Sequence, residues 1–200
     1  MHHLDRDQIT ALLRAARAGR RRDWVLFLVT YWHGLRASEA VNLTPAHFRD
    51  GFLTIQRLKG SLRTVQPLVE QPDELLDERR AVNSLLASHL TRFGPGGRSV
   101  PLFPLSRVQF YRLMRHYGAL AGLPRHLCHP HVLKHSIAMQ TIKTAGIENV
   151  RQYLGHRSIS STGEYLRVND DEASQAIAAA TRLKPPRRPF SPTGDVPPKN

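Results

Sequence analysis

Cysteine is nearly absent. Cys128 stands alone in 200 residues, so no internal disulfide can form, and the composition suits a reducing cytoplasm. Acidic residues are scarce as well: 16 Asp plus Glu face 29 Lys plus Arg, a net charge of +13. Such an excess argues against an enzyme of small metabolites and for a polyanionic partner, nucleic acid first and an anionic membrane surface second. No apolar run approaches the roughly 18–20 residues that span a bilayer. The opening "MHHLDRDQIT" lacks the apolar centre of a signal peptide, and its two histidines are too few for an expression tag. The expectation is one large domain, or one domain with a tail, in an intracellular protein that binds nucleic acid and not a membrane.

What is present reads mostly as helix. Asp5 and Gln8 stand at capping-box spacing, Ile9, Leu12, Leu13 and Ala16 recur at helical intervals, and Gly19 ends the run. Residues 23–33, "DWVLFLVTYWH", are apolar nearly all round and predict a buried helix ending at Gly34, with Trp24, Phe27 and Trp32 in the core. "RASEAVNL" predicts a short helix closed off by Thr44-Pro45. The β-branched stretches 52–58 and 63–69 flank "KGS" and predict a hairpin. Helical patterns return at 73–92, 105–121, 131–145 and 147–154. A short helical turn then carries Tyr165, and a last helix lies over 171–183, with a narrow stripe of Ala173, Ile177, Ala180 and Leu183. Residues 184–200 are basic and proline-rich and predict a disordered tail. The fold class expected is mainly α with a small antiparallel β-sheet.

"HLCHPHVLKH" (126–135) invites a zinc reading, since His131 and His135 are four apart with Cys128 just before them. The metalloprotease pattern, however, needs a glutamate where Val132 stands, and a structural zinc site usually needs paired cysteines. No metal and no cofactor are expected. Packing or surface histidines are the plain alternative.

Four separated segments place a phosphate-binding or proton-transfer group beside a fold-building stretch. They are "GLRASE" with Arg36, "RLKGS" with Lys59, "HVLKHS" with His131 and Lys134, and "LGH" with His156; Tyr165 follows nine residues later. Alone, Arg36 reads as a turn cap, Lys59 as a hairpin-turn residue, Glu39 as a helix-surface acid and His135 as a packed histidine. Together and in order they resemble the catalytic domain of the tyrosine recombinases, the phage-integrase family. The resemblance covers residues 4–183, and "HPHVLKH" with "QYLGHRSI" is most similar to the short fimbrial phase-switch recombinases.

The resemblance implies the tyrosine recombinase catalytic-domain fold over residues 1–183 and a site-specific recombinase working through a 3′-phosphotyrosine, without metal or ATP. Arg36 would clamp the non-bridging phosphate oxygens, which suits a guanidinium. His131 and His156 would donate further hydrogen bonds or shuttle the tyrosine proton. Lys59 would protonate the departing 5′ oxygen, Tyr165 would attack, and Glu39 would orient a histidine or arginine. The implied partners are double-stranded DNA, sister protomers in a tetrameric synapse with the C-terminal helix docking in trans, and a possible accessory DNA-bending protein.

Two features depart from the family. Its second arginine is here Lys134, which keeps the charge but loses the planar fork. An N-terminal core-binding domain is expected to be absent, since the chain opens directly on the first catalytic-domain helix behind Met1. Two further readings therefore stand beside the recombinase: a recombinase-derived DNA-binding protein with weak or no cleavage because of Lys134, and a type IB topoisomerase.

Overall fold

The computed structural model describes residues 3–57 and 62–155. Lys59, His156, Tyr165, the expected helix over 171–183 and the tail lie outside them. Helix α1 (Arg6–Gly19) starts at the expected capping box, with the Gln8 amide N–H donating to Asp5 Oδ1 at 2.8 Å. Its stripe of Ile9, Leu12, Leu13 and Ala16 is buried. Helix α2 (Arg21–Trp32) is the core axis: every residue from Asp23 to Tyr31 is buried. Phe27 stacks on Phe110 and meets Tyr117 edge-on, both at 5.7 Å. The Trp24 and Trp32 indoles donate to the carbonyls of Leu75 and Leu76, which pins the segment before the fourth helix. These tryptophans are core, as expected.

Helix α3 (Ala37–Val41) is followed by a three-stranded antiparallel sheet of β1 (Phe48–Arg49), β2 (Phe52–Ile55) and β3 (Thr64–Pro67), in that order. The hairpin β2–β3 is the expected one, paired from Phe52 opposite Pro67 to Ile55 opposite Thr64. Among the described residues its regular pairing is shorter than expected, since Gln56 and Arg57 lie outside the ladder. Strand β1 adds an edge that its two residues do not announce. Helix α4 (Glu78–Phe93) begins five residues later than its pattern suggests. Asp73 Oδ1 accepts from the Leu75 amide and holds a turn there, and Asp77 is the true N-cap. Helices α5 (Arg107–Leu120), α6 (Pro130–Ala145) and α7 (Ile147–Tyr153) stand where they were expected. Among the described residues no helix is long and apolar enough to cross a membrane.

Candidate functional site

Gly34 turns the chain between α2 and α3 at φ 56°, a conformation costly for any side chain. A Cβ there would also lie 2.3 Å from Leu154 Cδ2, so this glycine lets the end of α7 seat on the turn. Two residues on, Arg36 caps α3. Glu39 at the third helical position accepts from the Arg36 backbone N–H at 2.8 Å and from Arg36 Nη1 at 2.9 Å. The arginine head is therefore held in one pose while a quarter of its side chain stays open.

Beneath it lies a residue that the motifs do not single out. Arg57 is 3% exposed, and its guanidinium donates five hydrogen bonds. Nε reaches Thr64 Oγ1 at 3.1 Å; Nη1 reaches the Gly34 carbonyl at 3.2 Å and Glu39 Oε2 at 3.3 Å. Nη2 reaches the His33 carbonyl at 2.8 Å and the Tyr153 carbonyl at 3.2 Å. A guanidinium has five N–H donors, so none is left over. Burial pulls its pKa down, and Glu39 opposes the shift. A signal for it existed: with period two, Arg57 follows Leu53 and Ile55 on the inward face.

Helix α6 brings the second cluster. Pro130 occupies its first turn, His131 is exposed, and Lys134, one turn further, points inward at 2% exposure. Among the described residues its Nζ has no hydrogen-bond partner. Burial first, then the charges of Arg57 and Arg36, pushes its pKa from the usual lysine value to about 7, against the pull of Glu39. His135 is half-buried with its ring edge-on to His131 at 4.2 Å. Burial, His131, His129 and Lys134 together lower its pKa to about 4, which keeps it neutral. Cys128 is buried, and its Sγ would lie 2.4 Å from a Cβ placed on Gly118, so it serves helix packing.

A buried polar chain runs beside this floor. His33 stands 2.8 Å from Glu78 Oε1 and donates through Nδ1 to Gln66 Oε1 at 2.6 Å. Gln66 Nε2 donates to the Tyr153 carbonyl at 2.5 Å, and Glu78 Oε2 accepts from the Val69 amide at 2.9 Å. The end of α7 is thus bound to the sheet twice at one carbonyl, and a third time where the Leu62 amide donates to the Gly155 carbonyl at 3.0 Å.

Outward, Arg36 and His131 open onto a groove of about 840 Å³. Arg107, Arg112 and Arg115 of α5 line it with Tyr111 and Val108, and among the described residues no acidic one does. These α5 arginines were not singled out in the sequence; their spacing along one helix face was the available signal. The structure brings Arg36, Glu39, His131 and Lys134 to one place. Lys59, His156 and Tyr165 fall outside the described residues.

The model of the phage integrase family matches residues 2–172. The chain belongs to that family, the tyrosine recombinases. It is 33% identical over 181 residues to the type 1 fimbriae regulatory protein FimE of Escherichia coli K12, an alignment covering 84% of this chain and 86% of FimE. It is 36% identical over 179 residues to the tyrosine recombinase XerD of Xanthomonas axonopodis pv. citri, covering 82% of this chain and 58% of XerD. Among solved structures, the XerA recombinase superposes with a TM-score of 0.71 at 22% identity, over 90% of this chain and 65% of XerA. The fold is therefore the tyrosine recombinase catalytic-domain fold, mainly helical with a small antiparallel sheet. The chain spans a little over half of XerD and about two thirds of XerA, whereas it spans most of FimE.

Proposed function

We propose that this recombinase breaks and rejoins duplex DNA by attack of Tyr165, without metal or ATP. The Tyr165 Oη–P bond forms as the P–O5′ bond breaks. The departing oxygen takes its proton from Lys59, and the tyrosine proton passes to His131 or His156. Arg36 stabilises the charge gathering on the non-bridging oxygens, helped by Lys134. The phosphotyrosine preserves the ester's energy for rejoining.

One observation carries this reading. Lys134 is a buried cation without a hydrogen bond among the described residues, one turn from His131 and close to Arg36. Such a group is expensive to leave unmet, and a phosphate oxygen supplies both the charge and the acceptor it lacks. The arginine-lined groove suits the flanking duplex backbone. Residues 1–183 act as the catalytic domain, with helix 171–183 docking on a neighbouring protomer in a tetrameric synapse and residues 184–200 as a basic tail. A DNA-bending protein assists, and the work takes place on the nucleoid in the cytoplasm.

A second reading, a DNA-binding protein that cleaves weakly or not at all, is favoured by the same lysine. Its proton is weakly held near neutral pH, whereas an arginine would never lose one. A nicked suicide duplex separates the two on a denaturing gel. The recombinase reading expects a covalent protein–DNA band that vanishes in Tyr165→Phe. A mobility shift with no such band establishes the binder. Relaxation of a supercoiled plasmid carrying a single site would point to a type IB topoisomerase.

A further inference from the structure

Arg57 lies between two segments of the proposed machinery without belonging to it. It sits two residues before Lys59 in the connection that leaves β2, and it holds the carbonyl of Tyr153, three residues before His156. Its other bonds go to the two successive carbonyls of His33 and Gly34 in the α2–α3 turn, to Thr64 of β3, and to the same carboxylate that holds Arg36. Gly155 shows how closely this contact is made. A Cβ on it would lie 2.8 Å from Arg57 Cγ and 2.9 Å from the Leu62 carbonyl oxygen, and its φ is 69°.

We propose that Arg57 is a positioning residue that locks three pieces of the site into one register: the Arg36–Glu39 pair, the hairpin in whose connection Lys59 falls, and the end of α7 that leads to His156. The inference rests on the phosphoryl-transfer reading above. Saturation of all five donors by protein oxygens means that Arg57 offers nothing to DNA directly, so its loss should spare affinity and strike the chemical step. Displacing a catalytic group by about 1 Å costs on the order of a hundredfold in rate. Arg57 also holds a positive charge close to Lys134. The other charged or titratable groups that act on Lys134 among the described residues are Arg36 and Glu39 of the capped α3 turn, and His135 is coupled to it on α6.

Two variants divide position from charge. Arg57→Lys keeps the cation but cannot reach four separate elements at once. Arg57→Met removes both. The second-order rate of covalent complex formation on the nicked duplex, which reports the DNA-free protein, is measured between about pH 5.5 and 9 together with the rate at saturation, DNA affinity and a thermal melt. Both variants should cleave on the order of a hundredfold more slowly with affinity within about threefold of the parent chain. In Arg57→Met the alkaline fall in rate should also move to higher pH, because a charge that drives the proton off Lys134 is gone; in Arg57→Lys it should stay. Thr64→Val, which deletes one of the five bonds, should show a smaller loss and gives the readout if either arginine variant does not fold. Folded variants that cleave like the parent chain overturn the inference, and so does a rate loss matched by an equal loss of affinity. A parent chain that never links to DNA overturns the recombinase reading, and this inference with it.

Discussion

Two cations are buried in the floor of the site, and they are met in opposite ways. Arg57 comes from the sheet side and has every N–H bonded to protein oxygen. Lys134 comes from the helical side and has no hydrogen bond among the described residues. The two are nearly equally buried, at 3% and 2% exposure, so desolvation alone does not distinguish them. The difference lies in what surrounds each head group. Carbonyls at the ends of α2 and α7 converge on the guanidinium with Glu39, whereas the ammonium faces charges mostly of its own sign. A saturated cation fixes the fold, whereas an orphaned one costs stability until an acceptor meets it, the role proposed above for a phosphate.

The sharpest way to break this contrast is to remove the carboxylate that serves the saturated side. Glu39→Leu leaves Arg57 buried without its counter-charge and frees the Arg36 head. Loss of one partner of a buried pair costs about 3–5 kcal/mol. Denaturant unfolding should show a destabilisation of that size; a loss below about 1 kcal/mol would mean that the carbonyls alone hold Arg57.

Gly34 touches the surroundings of both cations: its carbonyl is bonded to Arg57, and a Cβ placed on it would lie 3.7 Å from Lys134 Cγ. Gly34→Ala would meet Leu154 at 2.3 Å and force an alanine to φ 56°. Overpacking and left-handed strain together should destabilise by about 2–3 kcal/mol. Unchanged stability would show that α7 is free to move away from the turn.

On the orphaned side the sign reverses. Lys134 is held near a pKa of 7, below its usual value of 10.5, so between those limits the unfolded chain binds more protons than the folded one. Its contribution to stability therefore improves as pH rises from about 7 to 10.5, and its full cost is felt below 7. Lys134→Met should stabilise the DNA-free protein by on the order of 1–2 kcal/mol at pH 6, with the gain fading towards alkaline pH. Calorimetric melts across that range would show it. A destabilised Met variant would mean that the ammonium has a protein partner after all.

Part of this floor was legible in the sequence, and part was not. Asp5 with Gln8, the all-round apolar 23–33 stretch and the glycines at 34 and 155 are local signals, and local physics decides such elements. Arg36, His131 and Lys134 were visible because motif order names them. Arg57 was not, because a charged residue near a hairpin turn ordinarily faces water. Only its register with Leu53 and Ile55 marked it as inward, and its acceptors come from residues up to 96 positions away. Likewise Asp73 resembles a helix cap, but the long-range bonds of Trp24 and Trp32 to Leu75 and Leu76 keep the next four residues out of helix.

The central claim is that Lys134 waits for a phosphate and must carry its proton to stabilise it. The direct measurement is the pH dependence of covalent complex formation on a nicked duplex, in the parent chain and in Lys134→Arg. The second-order rate at limiting protein, which reports the DNA-free state, should hold below about pH 7 in the parent and fall above it as the lysine deprotonates. Lys134→Arg should show no such fall from this group and be roughly tenfold to a hundredfold faster at alkaline pH, with DNA affinity little changed. If the two proteins share one pH profile and one rate, Lys134 takes no part in the chemistry and the account of the site is wrong.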